Sequence, residues 1–392
     1  MNNKKASPLA MKAKSATASV FSSIACIIIG LVLGYAFLLI LNPESAWDKG
    51  LLPIIKGGFK NFDKPNLVQN GRHMMALGLE IADAAPLIMT GLSVAFAFKT
   101  GLFNIGAAGQ YVLGAFGGLT CALIFNLPWW LCLIVAALFG AIWGAIPGIM
   151  KAYLNVNEVI TCIMLNWIGL YGANTIMYGG GNSPYFDLNK NKTFVVLSKS
   201  PQSHLPTTLF GWDMQQTFQT AAMTIAIVIA IIIAIVIYII LNKTTFGYEL
   251  KACGHNKNAA TYAGINAKRN IILSMVIAGA LAGIGGALFY LAGVEEYDPQ
   301  VSTALPAQGF NGISVALLAS LNPIGCIFSG TFIAHLSAGG KAMDQMTYPS
   351  EIADAVSGII VYLCAFSILF KGFFMNLVSG KLFHKKREEA AK

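Results

Sequence analysis

Residues 226–240 read AIVIAIIIAIVIYII, without a single charge, inside an apolar run from Phe218 to Leu241. A bilayer core needs about 20 consecutive apolar residues of helix, because backbone polar groups in lipid must be satisfied within their own segment. This run is long enough to cross. Composition extends that conclusion to the whole chain: 56% of its 392 residues are hydrophobic, 11% are charged and 40 are glycine, where a soluble domain carries about 25% charged residues. The chain reads as a polytopic membrane protein, so its activity belongs to transport or signalling.

Polar loops divide the remainder into comparable runs. Ten spans result, near residues 20–42, 74–98, 103–125, 128–150, 158–178, 218–241, 271–293, 308–321, 323–340 and 352–371. The eighth and ninth are short, and Asn322-Pro323 between them reads as a tight turn. Lysine and arginine accumulate on the cytoplasmic side of a membrane protein. With a cytoplasmic N-terminus, the inner segments hold Lys4, Lys5, Lys12, Lys14, Lys99 and Lys151. They also hold Lys243, Lys251, Lys257, Lys268, Arg269 and the basic residues from Lys371 to Lys392. The outer segments hold fewer: Lys49, Lys56, Lys60, Lys64, Arg72, Lys190, Lys192, Lys199 and Lys341. The excess places both termini inside, which requires an even number of spans. The net charge of +9 therefore reads as topology and attraction to an anionic leaflet. Nucleic acid is excluded as a partner, because the basic residues are spread over many loops and not gathered on one face. The first apolar run is too long for a cleaved signal peptide. The 7 cysteines lie in spans or in the inner loop, so no disulfide framework is implied.

The expected organisation is a cytoplasmic tail over 1–19, a transmembrane domain over 20–379 and a second cytoplasmic tail over 380–392. The outer segment 43–73 carries WDKGLLPIIKGGF and reads as a short interfacial helix. The outer segment 179–217, with Pro201, Pro206, Tyr185, Phe186, Phe210 and Trp212, is either a cap on the outer face or a solvated loop. Small residues recur on single helix faces at Gly114 and Gly118, at Gly140, Gly144 and Gly148, and at Gly279, Gly283 and Ala287. Such faces let helix backbones approach closely. Two segments resemble each other: GLFNIGAAGQ over 101–110 and GFNGISVALLAS over 309–320. Glycine-interrupted spans in matching positions point to a site between inverted repeats. Spans two to five then correspond to spans seven to ten.

Few residues carry chemistry. A phosphate loop ends in Gly-Lys-Ser/Thr, and the nearest fragment, Gly339-Gly340-Lys341-Ala342, lacks the hydroxyl. His73, His204, His255, His335 and His384 are scattered and form no metal set. Glu80 and Asp83 lie in the second span, and Asp354 begins the tenth. A carboxylate at the bilayer centre costs about 2.5–3.5 kcal/mol. These residues therefore either meet substrate or lie near the outer interface, where the cost is small. Asn104, Gln110, Asn166 and Asn174 lie in spans near Phe103, Trp167 and Tyr171. Amides can bond a sugar hydroxyl or a base edge, and aromatic rings can stack on it. Each amide taken singly reads more readily as an interhelical bond. As a group, Phe103, Asn104, Gln110, Asn166 and Tyr171 are expected to line a polar path opposite Asn311.

The inner loop 242–270, NKTTFGYELKACGHNKNAATYAGINAKRN, is too polar for the membrane and too rich in alanine and aromatics for a disordered tail. Tyr248–Cys253 and Asn258–Tyr262 are expected to form short helices, with Gly254 and Gly264 as breaks. A compact helical loop on a transporter without its own ATPase suggests docking to a separate motor. Tyr248, Glu249, Lys251, His255, Asn256 and Asn258 would supply the contacts, and Gly254 would set the bend.

The stretch from Gly254 to Ile265 resembles the G-x-N-x-x-A-A-x-Y-A-G-I sequence of permease subunits in ABC importers of the branched-chain amino acid and simple sugar permease family. Residues 101–110, 157–167 (NEVITCIMLNW) and 309–319 (GFNGISVALLA) resemble its nucleoside, guanosine-type branch. The matches run from about residue 74 to 371, leaving the first 70 residues and 179–217 without a matching motif. The resemblance implies an all-α helix bundle of about ten spans with two inverted repeats, similar in class to type II ABC importer permeases such as that for vitamin B12. It implies a translocation path for nucleosides or related sugars and no catalytic or metal site. The chain itself would bind no cofactor, and ATP and magnesium would sit on partner ATPase subunits in the cytoplasm. A second homologous permease and an extracellular substrate-binding lipoprotein would complete the importer. One departure stands out: the family's F-N-I-G-x-E-G-Q has a carboxylate where this chain has Ala108. An ion-coupled secondary transporter of a small polar solute is the alternative, and it would need coupling carboxylates near the midplane, for which only Glu80 and Asp83 offer themselves.

Overall fold

The computed structural model describes residues 8–181, 183–299, 304–366 and 370. The apolar runs become helices. The first is α1 (Pro8–Leu41), followed by a π-helical turn (Ala46–Leu51), α2 (Leu52–Lys56), a 3-10 turn (Gly57–Asn61) and α3 (Pro65–Gln69). Then come α4 (Met74–Lys99), α5 (Ala107–Leu123), α6 (Trp129–Leu154) and α7 (Glu158–Tyr178). Two short antiparallel hairpins follow. The first pairs β1 (Phe186–Asp187) with β2 (Lys192–Thr193) and precedes α8 (Val196–Lys199). The second pairs β3 (Thr208–Leu209) with β4 (Trp212–Asp213) and precedes α9 (Met214–Phe218). The chain continues through α10 (Ala226–Lys243), α11 (Thr245–His255), α12 (Lys257–Tyr262) and α13 (Ala267–Leu291). It closes with α14 (Ala307–Leu318), α15 (Pro323–Lys341) and α16 (Ser350–Ala365).

Among the described residues, 6 helices are long and apolar enough to cross a membrane: α4, α6, α7, α10, α13 and the part of α1 from Phe21. The boundaries depart from expectation in four places. Residues 8–19 are helical where a tail was expected, since alanine, methionine and lysine are strong helix formers. The third span begins at Ala107 and not at 103, because Gly101–Gly106 is irregular. The sixth begins at Ala226 and not at 218, because Gln219 closes α9 in a left-handed conformation (φ 53°). The eighth is short, ending at Leu318. The turn expected at Asn322-Pro323 is present: Ser320 and Leu321 both have positive φ, and the Asn322 side chain accepts from Ile324 N at 3.0 Å to cap α15. The tenth span's last residues and the tail 380–392 lie outside the described residues, as do residues 1–7.

Helix α13 is the centre of the molecule, packed against α4, α5 and α6. Its glycines are the reason. A Cβ on Gly283 would stand 2.5 Å from Ala136 O of α6, and one on Gly279 would overlap the Gly140 backbone. Gly114 of α5 meets Gly283 just as closely. Glycine at these positions lets three helices share one close seam. Helix α4 packs on α14 and α15 much as α13 packs on α5 and α6. By contrast α1 and α10 show most of their apolar surface: 22% and 28% of their spans are buried, against 78% for α4.

The segment 179–217 is a cap and not a solvated loop. Leu205 N donates to Leu291 O at 3.0 Å, Thr193 N to Tyr297 O at 2.8 Å, and Ile225 N to Pro206 O at 3.0 Å. His204 is buried against the end of α13, with Nε2 2.8 Å from Ala292 O. Burial holds its pKa below the ordinary histidine value. This cap lies at the opposite end of α13 from α11 and α12.

Candidate functional site: a broken helix joined to an exposed helical pair

The break between α4 and α5 is held by side-chain amides. Backbone groups outside a helix need partners, and in an apolar setting water does not supply them. Asn104 Nδ2 donates to Gln110 Oε1 at 2.8 Å and to Ser93 Oγ of α4 at 3.0 Å. Gln110 Nε2 returns a bond to Asn104 Oδ1 at 3.1 Å. From α7, Asn166 Oδ1 accepts from Gly109 N at 2.8 Å, and its Nδ2 donates to Ile105 O at 3.0 Å. All three amides are buried. Asn166 thus fixes the first turn of α5 and the irregular segment entering it with one side chain. Thr90 Oγ1 reaches from α4 to Gln308 O at 2.9 Å, at the start of α14. There Gly309 meets Ala108 so closely that a Cβ on Gly309 would overlap it. The N-termini of α5 and α14 therefore face each other, and the buried Ala108 leaves no room for the longer side chain of the family motif.

The expected path residues separate into two groups. Asn104, Gln110 and Asn166 come together in one hydrogen-bonded knot. Asn311 is half-buried on α14, and Phe103 packs against Phe98 with centroids 5.1 Å apart. Tyr171 is exposed and stacks on Trp167 at 5.8 Å. Asn174 of α7 accepts from Tyr297 Oη at 2.5 Å, and Tyr297 in turn meets Thr193 of the cap.

Helices α11 and α12 form a hairpin at one end of the bundle. Thr244 caps α11 by accepting from Gly247 N at 3.1 Å, and Asn256 caps α12 by accepting from Ala259 N at 3.0 Å. Leu250 is buried, and Asn270 of α13 donates to Glu249 Oε2 at 3.3 Å. Tyr248, His255, Asn256 and Asn258 are exposed, Lys251 is half-buried, and Tyr262 is 93% exposed. The expectation for Gly254 is corrected. It lies within α11, and the bend is made by Asn256, whose extended backbone (φ −155°, ψ 105°) breaks the helix while its side chain caps the next. Gly254 is needed for another reason: a Cβ there would stand 2.5 Å from the carbonyl carbon of Thr100. Its neighbour Gly101 (φ +78°) would in turn meet the Gly254 Cα at 2.6 Å. The exposed pair thus touches, backbone to backbone, the irregular segment that leads to the amide knot. Thr100 also bonds Ser274 of α13. Gly264 (φ +84°) is a break, as expected.

Both carboxylates of α4 are engaged. Glu80 is buried, and its Oε2 accepts from Gly58 N at 2.7 Å and faces His335 Nδ1 at 2.9 Å. His335 Nε2 faces Ile55 O at 2.9 Å. Asp83 pairs with Lys341 at 3.4 Å. Sequence reasoning named Glu80 and His335 without joining them, because nothing in either neighbourhood signals a partner 255 positions away. Ser93, Thr90 and the Gly101–Gly254 contact were missed for the same reason.

Residues 79–365 match the family described as "Branched-chain amino acid transport system / permease component". The chain is 36% identical to the guanosine ABC transporter permease protein NupP of Bacillus subtilis, over 78% of this chain and 84% of the relative. It is 35% identical to the nucleoside ABC transporter permease protein NupB of Lactococcus lactis, over 74% and 79%. The glucose ABC transporter permease protein TsgB13 of Haloferax volcanii is 29% identical, over 74% and 75%. No solved structure matches the chain. The fold and these matches define a multi-pass membrane permease. The chain belongs to the branched-chain amino acid transport system permease component family, and it is a transport subunit and not an enzyme.

Proposed function

We propose that this chain is the membrane permease of an ATP-binding cassette importer for nucleosides, with α11 and α12 as the element that receives force from a separate ATPase. The observation that carries this is the backbone contact of Gly254 with Thr100 and Gly101. A motor pushing on α11 would move the segment that sets α5, with no flexible side chain in between to absorb the displacement. The nucleoside assignment is supported by the names of the relatives at 35% and 36% identity. The basic bias of the sequence supports α11, α12 and both termini in the cytoplasm and the 179–217 cap outside. The packing of α4 on α14 and α15, and of α13 on α5 and α6, supports two inverted repeats within about ten spans. A second homologous permease, cytoplasmic ATPases carrying ATP and magnesium, and an outer binding lipoprotein complete the assembly. Substrate would pass where the α5 and α14 N-termini meet, beside Asn104, Gln110, Asn166 and Asn311, with Tyr171 and Phe103 offering ring faces. The pairing of Glu80 with His335 and Asp83 with Lys341 weighs against ion coupling.

The test is transport by the reconstituted complex in proteoliposomes. ATP-dependent uptake of labelled guanosine or adenosine, outcompeted by unlabelled nucleosides and not by ribose or glucose, is the expected result. Uptake driven by an ion gradient without ATP would overturn it, and competition by ribose alone would move the substrate to sugars.

A further inference from the structure

We infer that this permease holds an anionic phospholipid in a cavity at the α11 end of the bundle, between α1, α10 and the α14–α15 turn. The cavity has a volume of about 1000 Å³, at the upper end of the size range of small-molecule pockets. Three lysines line it, Lys99, Lys243 and Lys251, and no aspartate or glutamate does. Among the described residues, neither Lys243 nor Lys251 has a carboxylate within ion-pair distance. The remaining wall mixes apolar side chains, among them Ile24 of α1, Tyr238 of α10 and Phe328 of α15, with uncharged polar ones such as Asn242 and Ser329. Phe328 is 74% exposed, an aromatic side chain largely uncovered by the described residues. The rim is built and not loose: Ser23 Oγ of α1 donates to Leu318 O at 3.0 Å, and the left-handed Ser320 and Leu321 shape the turn beside it.

Charge and position choose the occupant. A nucleoside is neutral and offers Lys243 and Lys251 no negative charge to meet. The cavity is also walled by α1 and α10, the two spans with the least buried surface, and none of the amides of the knot lines it. It therefore opens toward lipid and not toward the centre of the bundle. A phosphodiester with two acyl chains satisfies both halves at once: lysines take the phosphate, and the groove between α1 and α10 takes a chain. Basic pockets between spans at the cytoplasmic leaflet bind anionic headgroups in this way. The proposal does not depend on which solute is carried.

Native mass spectrometry of the purified importer, released from nanodiscs of dioleoylphosphatidylglycerol and dioleoylphosphatidylcholine, tests it. The wild type should retain phosphatidylglycerol preferentially. Lys243→Gln with Lys251→Gln should lower that preference by about fivefold per lysine, the equivalent of ~1 kcal/mol for a basic residue at an anionic leaflet. Ile24→Trp, which fills the apolar wall and leaves the lysines in place, should lower retention of either lipid and gives a reading if the lysine variant is poorly expressed. Millimolar inorganic phosphate should not displace the lipid; if it does, the site takes free phosphate and the proposal fails. Equal retention of the two lipids by the wild type would overturn it. So would a lysine variant that keeps phosphatidylglycerol but loses its ATPase subunits, which would make these lysines a protein contact.

Discussion

His335 sits between two acceptors, the Glu80 carboxylate at 2.9 Å and the Ile55 carbonyl at 2.9 Å. Through these two contacts one imidazole ties α15 to both α4 and α2. Removing one partner of a buried pair leaves an uncompensated charge and costs about 3–5 kcal/mol, whereas removing both costs less. His335→Ala should therefore lower the thermal stability of the detergent-solubilised protein more than His335→Ala with Glu80→Gln. Additive losses in that cycle would show that the two side chains do not interact. Gly254 makes a second case. Even Gly254→Ala places a methyl group against the Thr100 backbone, which cannot step aside as a side chain would. The variant should insert normally and lose most ATP-driven uptake; full uptake at wild-type expression would remove this contact from the coupling route. The sequence marked Gly254 as special but for the wrong reason. A turn glycine and a close-approach glycine look alike in one dimension, and the residue that makes the approach necessary lies some 150 positions earlier. The amides at 104, 110 and 166 were easier, since an amide in an apolar run needs a partner whatever that partner is.

At the scale of elements, the glycine faces of α5, α6 and α13 were legible as close-packing surfaces because their spacing is a property of one helix. That all three converge on one seam is a property of the bundle. Gly283→Ala should destabilise the protein by about 1–3 kcal/mol, the cost of overpacking a filled interior, read as a lowered melting temperature. Gly172→Ala on α7 meets nothing within 4 Å and should leave stability unchanged or raise it by up to ~1 kcal/mol from helix propensity. Similar losses at both positions would refute the seam. The 179–217 cap adds a pH dependence through His204. Burial lowers its pKa, so the folded cap prefers the neutral ring. That contribution is complete above the ordinary histidine value of about 6.5 and is lost as pH falls below it and through the folded pKa. Thermal stability between pH 7.5 and 5 should decline less steeply in His204→Gln than in the wild type; parallel curves would exclude the histidine. Helix boundaries were least legible where one residue decided them, as at the left-handed Gln219.

Across the whole molecule, the apolar runs located the 6 helices long and apolar enough to cross a membrane, because lipid leaves the backbone little choice but helix. Orientation was read from lysine and arginine alone, and it can be checked directly. The described cysteines other than Cys364 are buried and unpaired, which keeps the labelling background low. A cysteine at Phe210, which is fully exposed, should react with an impermeant thiol reagent in intact cells, and one at Tyr262 only after the membrane is opened. The reverse pattern would invert the topology. Partner subunits are not legible in any single residue: a separate ATPase was suggested by the polar, helix-forming inner loop, and the other partners by the family resemblance.

The central place of α13 also bears on how the protein is made. At synthesis rates of 5–20 residues per second, on the order of 10 s separates the emergence of α7 from that of α13. In that interval the glycine faces of α5 and α6 have no partner in the chain, and lipid cannot interlock with them as another helix does. The first half must wait in the membrane as an incomplete assembly, open to chaperones and proteases, until residues 267–291 arrive. The close fit that makes the finished bundle rigid is thus also what makes its nascent form vulnerable.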